Sequence, residues 1–170
     1  MGMVVSDSST LIHLASIGRL ALLKKFYARI TITPAVWREV VEQGEGRAGA
    51  VEVANAHQAG WIEVVAPADE SLVRLLRRDL GDGESEVITL ALERQADLTL
   101  LDESEARRIA EMYGLSKTGV IGILIRGKRE GEIDSLRAEL DRLREPGGFW
   151  IEDRFYHRAL AAVGEEQRES

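Results

Sequence analysis

The stretch "MVVSDSSTLIHLA" (residues 3–15) places two valines before Asp7 and apolar residues at helical spacing after it. β-Branched residues favour a strand and apolar residues three and four apart favour a helix, so the stretch predicts a strand at Met3–Val5 followed by a helix. A carboxylate at such a junction has two explanations. Asp7 is either the N-cap of the helix, with serines nearby that offer similar oxygens, or one of several acids gathered at strand ends.

Strands and helices alternate along the rest of the chain. The run "GVIGILI" (119–125) fits a helix or a buried strand, and we assign a helix because the charged residues after it extend the segment beyond the usual strand length. The tail "EEQRES" (165–170) is expected to fray. Further strands are predicted at 29–33, 61–65, 98–101 and, as a short strand, "FWIE" (149–152). Further helices are predicted at 18–26, 34–43, 47–59, 69–80, 84–95, 103–113, 134–145 and 153–164.

The alternation predicts an α/β fold, a doubly wound parallel sheet of about four to five strands flanked by helices. We expect residues 1–135 to form the sheet domain and residues 136–170 to form a C-terminal helical extension packed on it. Sites in such folds lie beyond the carboxyl ends of the strands, near the point where the strand order reverses. Asp7 and Asp102 directly follow the first and fourth predicted strands and are therefore candidates for a site.

The composition is that of an ordinary globular domain. The chain has 170 residues, 45% hydrophobic and 30% charged, which suits one compact domain with a sizeable core. No apolar run is long enough to span a bilayer and no secretory signal is visible, so we expect a cytoplasmic protein without a membrane anchor. The absence of cysteine excludes disulfides, thiolate zinc sites and thiol catalysis. The net charge of −7 argues against coating nucleic acid through bulk electrostatics, but a bound cation reverses the sign locally.

Each candidate acid also has a structural explanation. Asp102 precedes Glu105 at capping-box spacing, and Glu84 and Glu86 lie in the first turn of a helix, where negative charge is favourable. Glu39 lies in the second turn of its helix, where the alternative is an exposed acid paired with a neighbouring base. Taken together, acids from well-separated parts of the chain indicate a site for a hard divalent cation, which prefers carboxylate oxygens.

Other chemistries find no support in the sequence. The three histidines are scattered on predicted helices without the spacing of paired ligands, and we interpret them as core-edge or surface residues. There is no phosphate-binding G-x-x-x-x-G-K-[ST] loop, no G-x-G-x-x-G after a strand and no G-x-S-x-G elbow. The "DSS" after the first strand lacks the second aspartate of a phosphoaspartyl phosphatase.

Four stretches carry a family resemblance when they are taken in order. They are "VVSDSSTLIHLASIGRLALLKKFY" (4–27), "ITITPAVWREVV" (30–41), "GDGESEVITLALERQADLTLLDESEARRIAEMYGL" (81–115) and "KTGVIGILIRGKREGEI" (117–133). With these stretches the chain resembles the PIN-domain family, in particular its VapC-like and prokaryotic PIN-like nucleic-acid-binding branch. Each motif is weakly specific, but the ordered set covers most of the chain.

The resemblance implies a PIN-like ribonuclease that uses Mg²⁺ or Mn²⁺ and is often the toxin of a toxin–antitoxin pair. The family's first aspartate matches Asp7, with Ser8 as the small hydroxyl residue after it, and the helix glutamate matches Glu39. The next acid matches Glu86 or Glu84, and counting back from "LTLLD" favours Glu86.

The fourth acid is where the chain departs from the family pattern. Typical members place it two residues later, at the position of Ser104, whereas Asp102 ends the strand directly. We expect Asp7, Glu39, Glu86 and Asp102 to be catalytic and these acids and Glu84 to bind the metal.

The resemblance also leads to expectations about substrate and partners. Arg107, Arg108 and Lys117 would guide the RNA backbone, and the expected partners are RNA, an antitoxin protein and a second copy in a homodimer. The alternative is a catalytically weak PIN-like module that binds nucleic acid or is regulated by a partner. A phosphatase on a similar sheet is a third and weaker interpretation.

Overall fold

A five-stranded parallel sheet forms the centre of the molecule. The computed structural model describes residues 2–145 and 147–166. Within them the strand order is β3-β2-β1-β4-β5, and every neighbouring pair is parallel. The strands are β1 (Val4–Ser6), β2 (Ile30–Ile32), β3 (Ile62–Val64), β4 (Leu98–Leu100) and β5 (Lys117–Thr118).

Ten α-helices in the described residues flank this sheet, so the predicted α/β fold is confirmed. One of them, α3, continues into a π-helical turn at Arg38–Glu42. None of the described helices combines the length and the apolar character that crossing a bilayer requires. The helices are α1 (Ser8–Ser16), α2 (Ala21–Tyr27), α3 (Pro34–Trp37), α4 (Ala50–Gln58), α5 (Glu70–Leu76), α6 (Asp82–Arg94), α7 (Ser104–Met112), α8 (Val120–Arg129), α9 (Leu136–Arg144) and α10 (Asp153–Ala162).

The strand order reverses at β1. After β1 the chain builds β2 and β3 on one side, and it then returns to place β4 on the other side of β1 and β5 beyond it. The residues that leave the carboxyl ends of β1 and β4 therefore enter the same crevice, which is where ligand sites form in open α/β sheets. This topology places Asp7 beside the segment that follows β4, and the Asp7 amide donates a hydrogen bond to the Leu100 carbonyl at 3.0 Å.

The central strands are covered on both faces of the sheet and therefore lack a polar face. Every residue of β1 and β2 is buried, as expected for parallel strands covered on both sides. The apolar run after β5 forms α8, as predicted, and buries Val120, Ile123 and Leu124. Helix α8 packs against α1, α2, α9 and α10, so it joins the C-terminal helices to the rest of the protein.

The segment at 149–152 is irregular, so the predicted strand "FWIE" is wrong. Its backbone groups bond to the end of α9 instead of a sheet edge. The Phe149 amide donates to the Leu143 carbonyl at 2.8 Å, and the Arg144 guanidinium donates to the Ile151 carbonyl at 3.0 Å. Strand β5 was not predicted because it has only two residues, both polar, and its pairing with β4 is visible only in three dimensions.

The tail was expected to fray from Glu165, but Glu165 caps the start of α9. Its carboxylate accepts hydrogen bonds from the amides of Leu136 at 2.6 Å and Arg137 at 3.1 Å. A negative charge at a helix N-terminus is favourable, and these bonds lower the pKa of Glu165 although burial opposes them. Residues 167–170 of the tail lie outside the described residues.

A buried ion cluster fixes α9 against the connection between α1 and α2. The Glu139 side chain is 4% exposed and pairs with Arg19 at 2.6 Å and with Arg142. Arg142 also donates to the Ile17 carbonyl at 3.1 Å. The charge of Glu139 is thus compensated by two arginines, as a buried carboxylate requires.

Candidate active site

Asp7 lies where β1 becomes α1, and it has both of the roles considered for it. One carboxylate oxygen accepts the Thr10 amide at 2.9 Å, so Asp7 is the N-cap of α1. The other oxygen accepts the Asp102 amide at 3.1 Å, which joins it to the segment after β4. The residue is 1% exposed, far more buried than a surface cap would be.

Asp102 is held in the same crevice by α8 and α1. Its Oδ1 accepts the Val120 amide at 2.9 Å, and its Oδ2 lies 3.3 Å from Nδ1 of His13. A side chain at Gly119 would place its Cβ 2.4 Å from Oδ1 of Asp102, so only glycine lets α8 begin this close to the carboxylate.

Glu39 reaches the N-terminus of α1 from the π-helical turn. One oxygen accepts the Ser8 hydroxyl at 2.5 Å and the other accepts the Gly83 amide at 2.9 Å. A Cβ at Gly83 would lie 2.8 Å from the nearer glutamate oxygen, so this glycine allows α6 to approach Glu39. π-Helical turns are rare and frequently occur at functional sites.

Glu84 and Glu86 have different surroundings. Glu86 accepts the Ala35 amide at 2.8 Å and so caps α3. Glu84 accepts the Gly81 amide at 2.9 Å at the start of α6. Burial raises the pKa of Glu84, the bond from Gly81 opposes this, and the charges of Glu103 and Glu39 raise it further. Glu84 therefore lies within electrostatic reach of Glu39, whereas the hydrogen bond of Glu86 ties it to α3.

These side chains form a concentration of negative charge at the sheet's switch point. We call Asp7, Glu39, Glu84 and Asp102 the acid group. Burial and, secondly, the charge of Asp102 raise the pKa of Asp7 to about 7. Among the ion pairs of the described residues, no lysine or arginine pairs with any member of the acid group. His13 is the one basic partner there, at Asp102.

A family model matches nearly the whole chain. The model of the family DUF3368, a PIN domain, matches residues 3–165. The chain belongs to the PIN-domain family. The match includes α9 and α10 as well as the sheet, and PIN domains are nuclease-type folds. No curated protein matches the chain.

Within this PIN domain, the sequence interpretation missed His13. Its partner Asp102 is 89 residues away, so no local spacing signals the contact. The His13 ring also packs edge-on against Phe149, with ring centroids 4.4 Å apart. The available hint was that His13 lies on α1, the short helix that Asp7 caps.

The basic residues expected to guide RNA lie on α7 and β5. Arg108 pairs with Glu105 at 2.5 Å and Lys117 pairs with Glu111 at 3.7 Å. Arg107 is exposed on α7. Only Ser8, of the expected substrate-binding residues, is hydrogen-bonded to the acid group.

The donor set of the PIN domain suits a hard divalent cation. The Asp102 amide joins Asp102 to Asp7, and Glu39 accepts the hydroxyl of Ser8, the residue after Asp7. Oxygen ligands are what Mg²⁺ and Mn²⁺ prefer. The described residues contain no group of three histidine or acidic side chains already spaced as ligands. Each oxygen that accepts one hydrogen bond keeps a second lone pair, so Asp7, Glu39 and Asp102 could hold a cation, with Glu84 beside them.

Proposed function

We propose that this PIN domain is a metal-dependent endoribonuclease that hydrolyses RNA phosphodiester bonds at the acid group. The observation that carries the proposal is the burial of Asp7 next to Asp102, which raises the pKa of Asp7 to about 7 without a lysine or arginine among its described contacts. Carboxyl groups whose pKa is strongly raised by burial and by a neighbouring charge are common at functional sites. The crevice beyond β1 and β4 is also where the fold places its ligands.

The chain's own residues have distinct parts in the proposed reaction. Asp7, Glu39 and Asp102 would hold Mg²⁺ or Mn²⁺, which when bound supplies positive charge to the phosphodiester and favours the ionisation of water. The amides of Thr10 and Asp102 fix the orientation of Asp7. The Ser8 hydroxyl and the Gly83 amide do the same for Glu39.

Protons can also be held at this site. With a pKa of about 7, the Asp7 carboxyl takes up or releases a proton near neutral pH. His13 lies beside Asp102 and faces the same crevice. We propose Arg107, Arg108 and Lys117 as contacts to the RNA backbone, in which case Arg108 and Lys117 exchange their present acidic partners for phosphates.

A cleavage assay tests the proposed function. Purified protein is incubated with labelled single-stranded RNA in Mn²⁺, in Mg²⁺ and in excess EDTA, and products are separated on a denaturing gel. We expect discrete internal cuts with either metal and none in EDTA, because the acid group repels the phosphodiester when no cation neutralises it. Equal cleavage in EDTA, or no cleavage with either metal, contradicts the proposal.

One observation favours a second candidate, a PIN-like module that binds nucleic acid without cutting it. Both oxygens of Asp7 and both oxygens of Glu39 already accept hydrogen bonds from the protein, which stabilises the acid group without a metal. This candidate predicts RNA binding that is the same in Mn²⁺ and in EDTA, with intact RNA recovered in both. The cleavage assay therefore separates the two candidates.

We also propose partners and a location from the toxin role of similar domains. A nuclease that acts on cellular RNA would work in the cytoplasm, be restrained by an antitoxin protein and assemble as a homodimer. Exposed apolar side chains, among them Leu75 and Met112, offer surfaces for such contacts.

A further inference from the structure

Trp150 projects into solvent from the segment between α9 and α10. It is 80% exposed, the highest value among the large apolar side chains of the described residues. Its neighbours behave differently, since Ile151 is 7% exposed and Phe149 is packed against the core. A tryptophan side chain buries a large apolar area when it has a partner, so the high exposure of Trp150 is unusual.

The exposure of Trp150 is built into the segment. Bonds from the Phe149 amide to Leu143 at 2.8 Å and from Arg144 to the Ile151 carbonyl at 3.0 Å hold the backbone on both sides. Arg144 is in turn fixed over the ring of Tyr156, with its guanidinium carbon 4.0 Å from the ring centroid. The indole is therefore presented by an anchored backbone.

This segment is connected to the acid group through His13. The Phe149 ring lies 4.4 Å from the His13 ring, centroid to centroid, and His13 Nδ1 lies 3.3 Å from Asp102. Trp150 directly follows Phe149 in the chain. Phe149 and His13 thus connect Trp150 to Asp102, and this connection is the geometric basis for assigning Trp150 to the substrate.

We propose that Trp150 stacks on an unpaired base of the substrate and so makes the site selective for single-stranded nucleic acid. The inference rests on the proposed nuclease function and names the form of its substrate. Stacking accepts any base because every base has a π-face, and it contributes affinity that a chain with a net charge of −7 gains poorly from electrostatics. Arg154 and Arg158 lie over the ring of Phe155 at the start of α10, where they can approach a neighbouring phosphate.

A protein partner fits the same residue less well. Interfaces need a contiguous apolar patch of several hundred Å², whereas Trp150 is followed by the buried Ile151 and by two acids. Glu152 pairs with Arg154 at 3.8 Å and Asp153 pairs with Arg144 at 3.3 Å, so the charges of both acids are compensated. The Asp153 side chain is 91% exposed and the Glu152 side chain is 44% exposed. A single aromatic side chain within polar surroundings is typical of a stacking platform.

Binding measurements on the full-length protein test the inference. A fluorescein-labelled phosphorothioate oligouridine, whose backbone resists hydrolysis, is titrated in Mn²⁺, so that binding is measured without cleavage, for the wild type, Trp150→Ala and Trp150→Phe. Tyr113→Ala is the matched control, because Tyr113 is a 45% exposed aromatic that follows the last residue of α7, whereas it is the first turn of α7 that follows the carboxyl end of β4. We expect Trp150→Ala to bind roughly 10-fold more weakly, Trp150→Phe to recover most of the loss, and Tyr113→Ala to bind like the wild type.

Two further readouts separate stacking from other effects. The salt dependence of binding should be the same in Trp150→Ala and the wild type, because the indole contacts no phosphate. In Mn²⁺, Trp150→Ala should raise KM for single-stranded RNA and leave kcat unchanged, and it should reduce the preference for single-stranded over duplex RNA.

Each contrary outcome is distinguishable. Wild-type protein that cuts RNA in Mn²⁺ while Trp150→Ala binds and cuts equally well overturns the stacking role alone. Wild-type protein that neither binds the phosphorothioate oligouridine nor cuts RNA in Mn²⁺ overturns the nuclease proposal and the inference with it. Unchanged RNA binding together with a dimer-to-monomer shift in sedimentation assigns Trp150 to a protein interface and overturns the inference.

Discussion

Glu39→Gln is expected to reduce RNA cleavage in Mn²⁺ on the order of 100-fold while leaving the fold intact. Glutamine has the same shape, and its carbonyl oxygen can still accept the Gly83 amide that now lies 2.9 Å from Glu39. Its amide can donate to the Ser8 hydroxyl, which rotates to accept. The substitution therefore removes the negative charge and few contacts, so that a loss of activity reports on the charge.

Glu42→Gln is the matched control for this prediction. Glu42 is exposed, lies in the same π-helical turn, and makes no hydrogen bond to α1 or α6 among the described contacts. The measurement is kcat/KM on labelled RNA, with circular dichroism to verify folding. Equal cleavage by Glu39→Gln and Glu42→Gln would show that the charge of Glu39 is not needed for cleavage.

Asp7→Asn is expected to flatten the pH dependence of stability. The pKa of Asp7 is raised from an ordinary 3.8 to about 7 in the folded protein. Between these values the folded state keeps a proton that the unfolded state releases, so the free energy of unfolding falls as the pH rises. Above about pH 7 the free energy of unfolding falls no further, and the total loss is about 4 kcal/mol at most. Asparagine cannot ionise, so it should lose this dependence.

Urea denaturation between about pH 4 and pH 8 measures the effect. We expect the wild type to lose stability as the pH rises and Asp7→Asn to keep its stability. The free energy of unfolding of Asp7→Asn therefore increases relative to that of the wild type. Asparagine offers one acceptor where Asp7 has two, so a pH-independent loss of about 1 kcal/mol is expected in addition. Asp69→Asn is the control, since Asp69 is an exposed N-cap of α5 that accepts the Leu72 amide at 3.0 Å. A parallel pH profile for Asp7→Asn and the wild type would show that burial of the Asp7 charge has no energetic consequence.

Periodicity in the sequence predicts the α/β fold class and four of the five strands, β1 to β4. Buried parallel strands have apolar runs, and the helices between them repeat apolar residues at helical spacing, so both kinds of element can be read locally. The rule that sites form at carboxyl ends of strands then pointed to Asp7 and Asp102, and the Asp102 amide does donate to Asp7 at 3.1 Å. The position of Glu39 followed from the family resemblance.

Contacts between distant segments could not be predicted in this way. His13 and Asp102 are 89 residues apart, and nothing in the spacing of histidines indicates that they meet. Counting along the helix favours Glu86 over Glu84, and Glu86 stays a prediction for the site. Glu86 caps α3, whereas Glu84 faces the charges of Glu103 and Glu39, and these partners are not visible in the sequence. The close approach of Gly83 to Glu39 depends on how α6 packs, which only the tertiary structure contains.

Calorimetric titration with Mn²⁺ tests most directly whether the acid group binds a divalent cation. The protein is titrated at about pH 7.5 as wild type, as Asp102→Asn, whose side-chain oxygen can still accept the Val120 amide, and as Glu42→Gln. We predict saturable binding by the wild type and by Glu42→Gln, and none by Asp102→Asn. Absence of saturable binding by the wild type, or equal binding by Asp102→Asn, would contradict a metal site at the ends of β1 and β4.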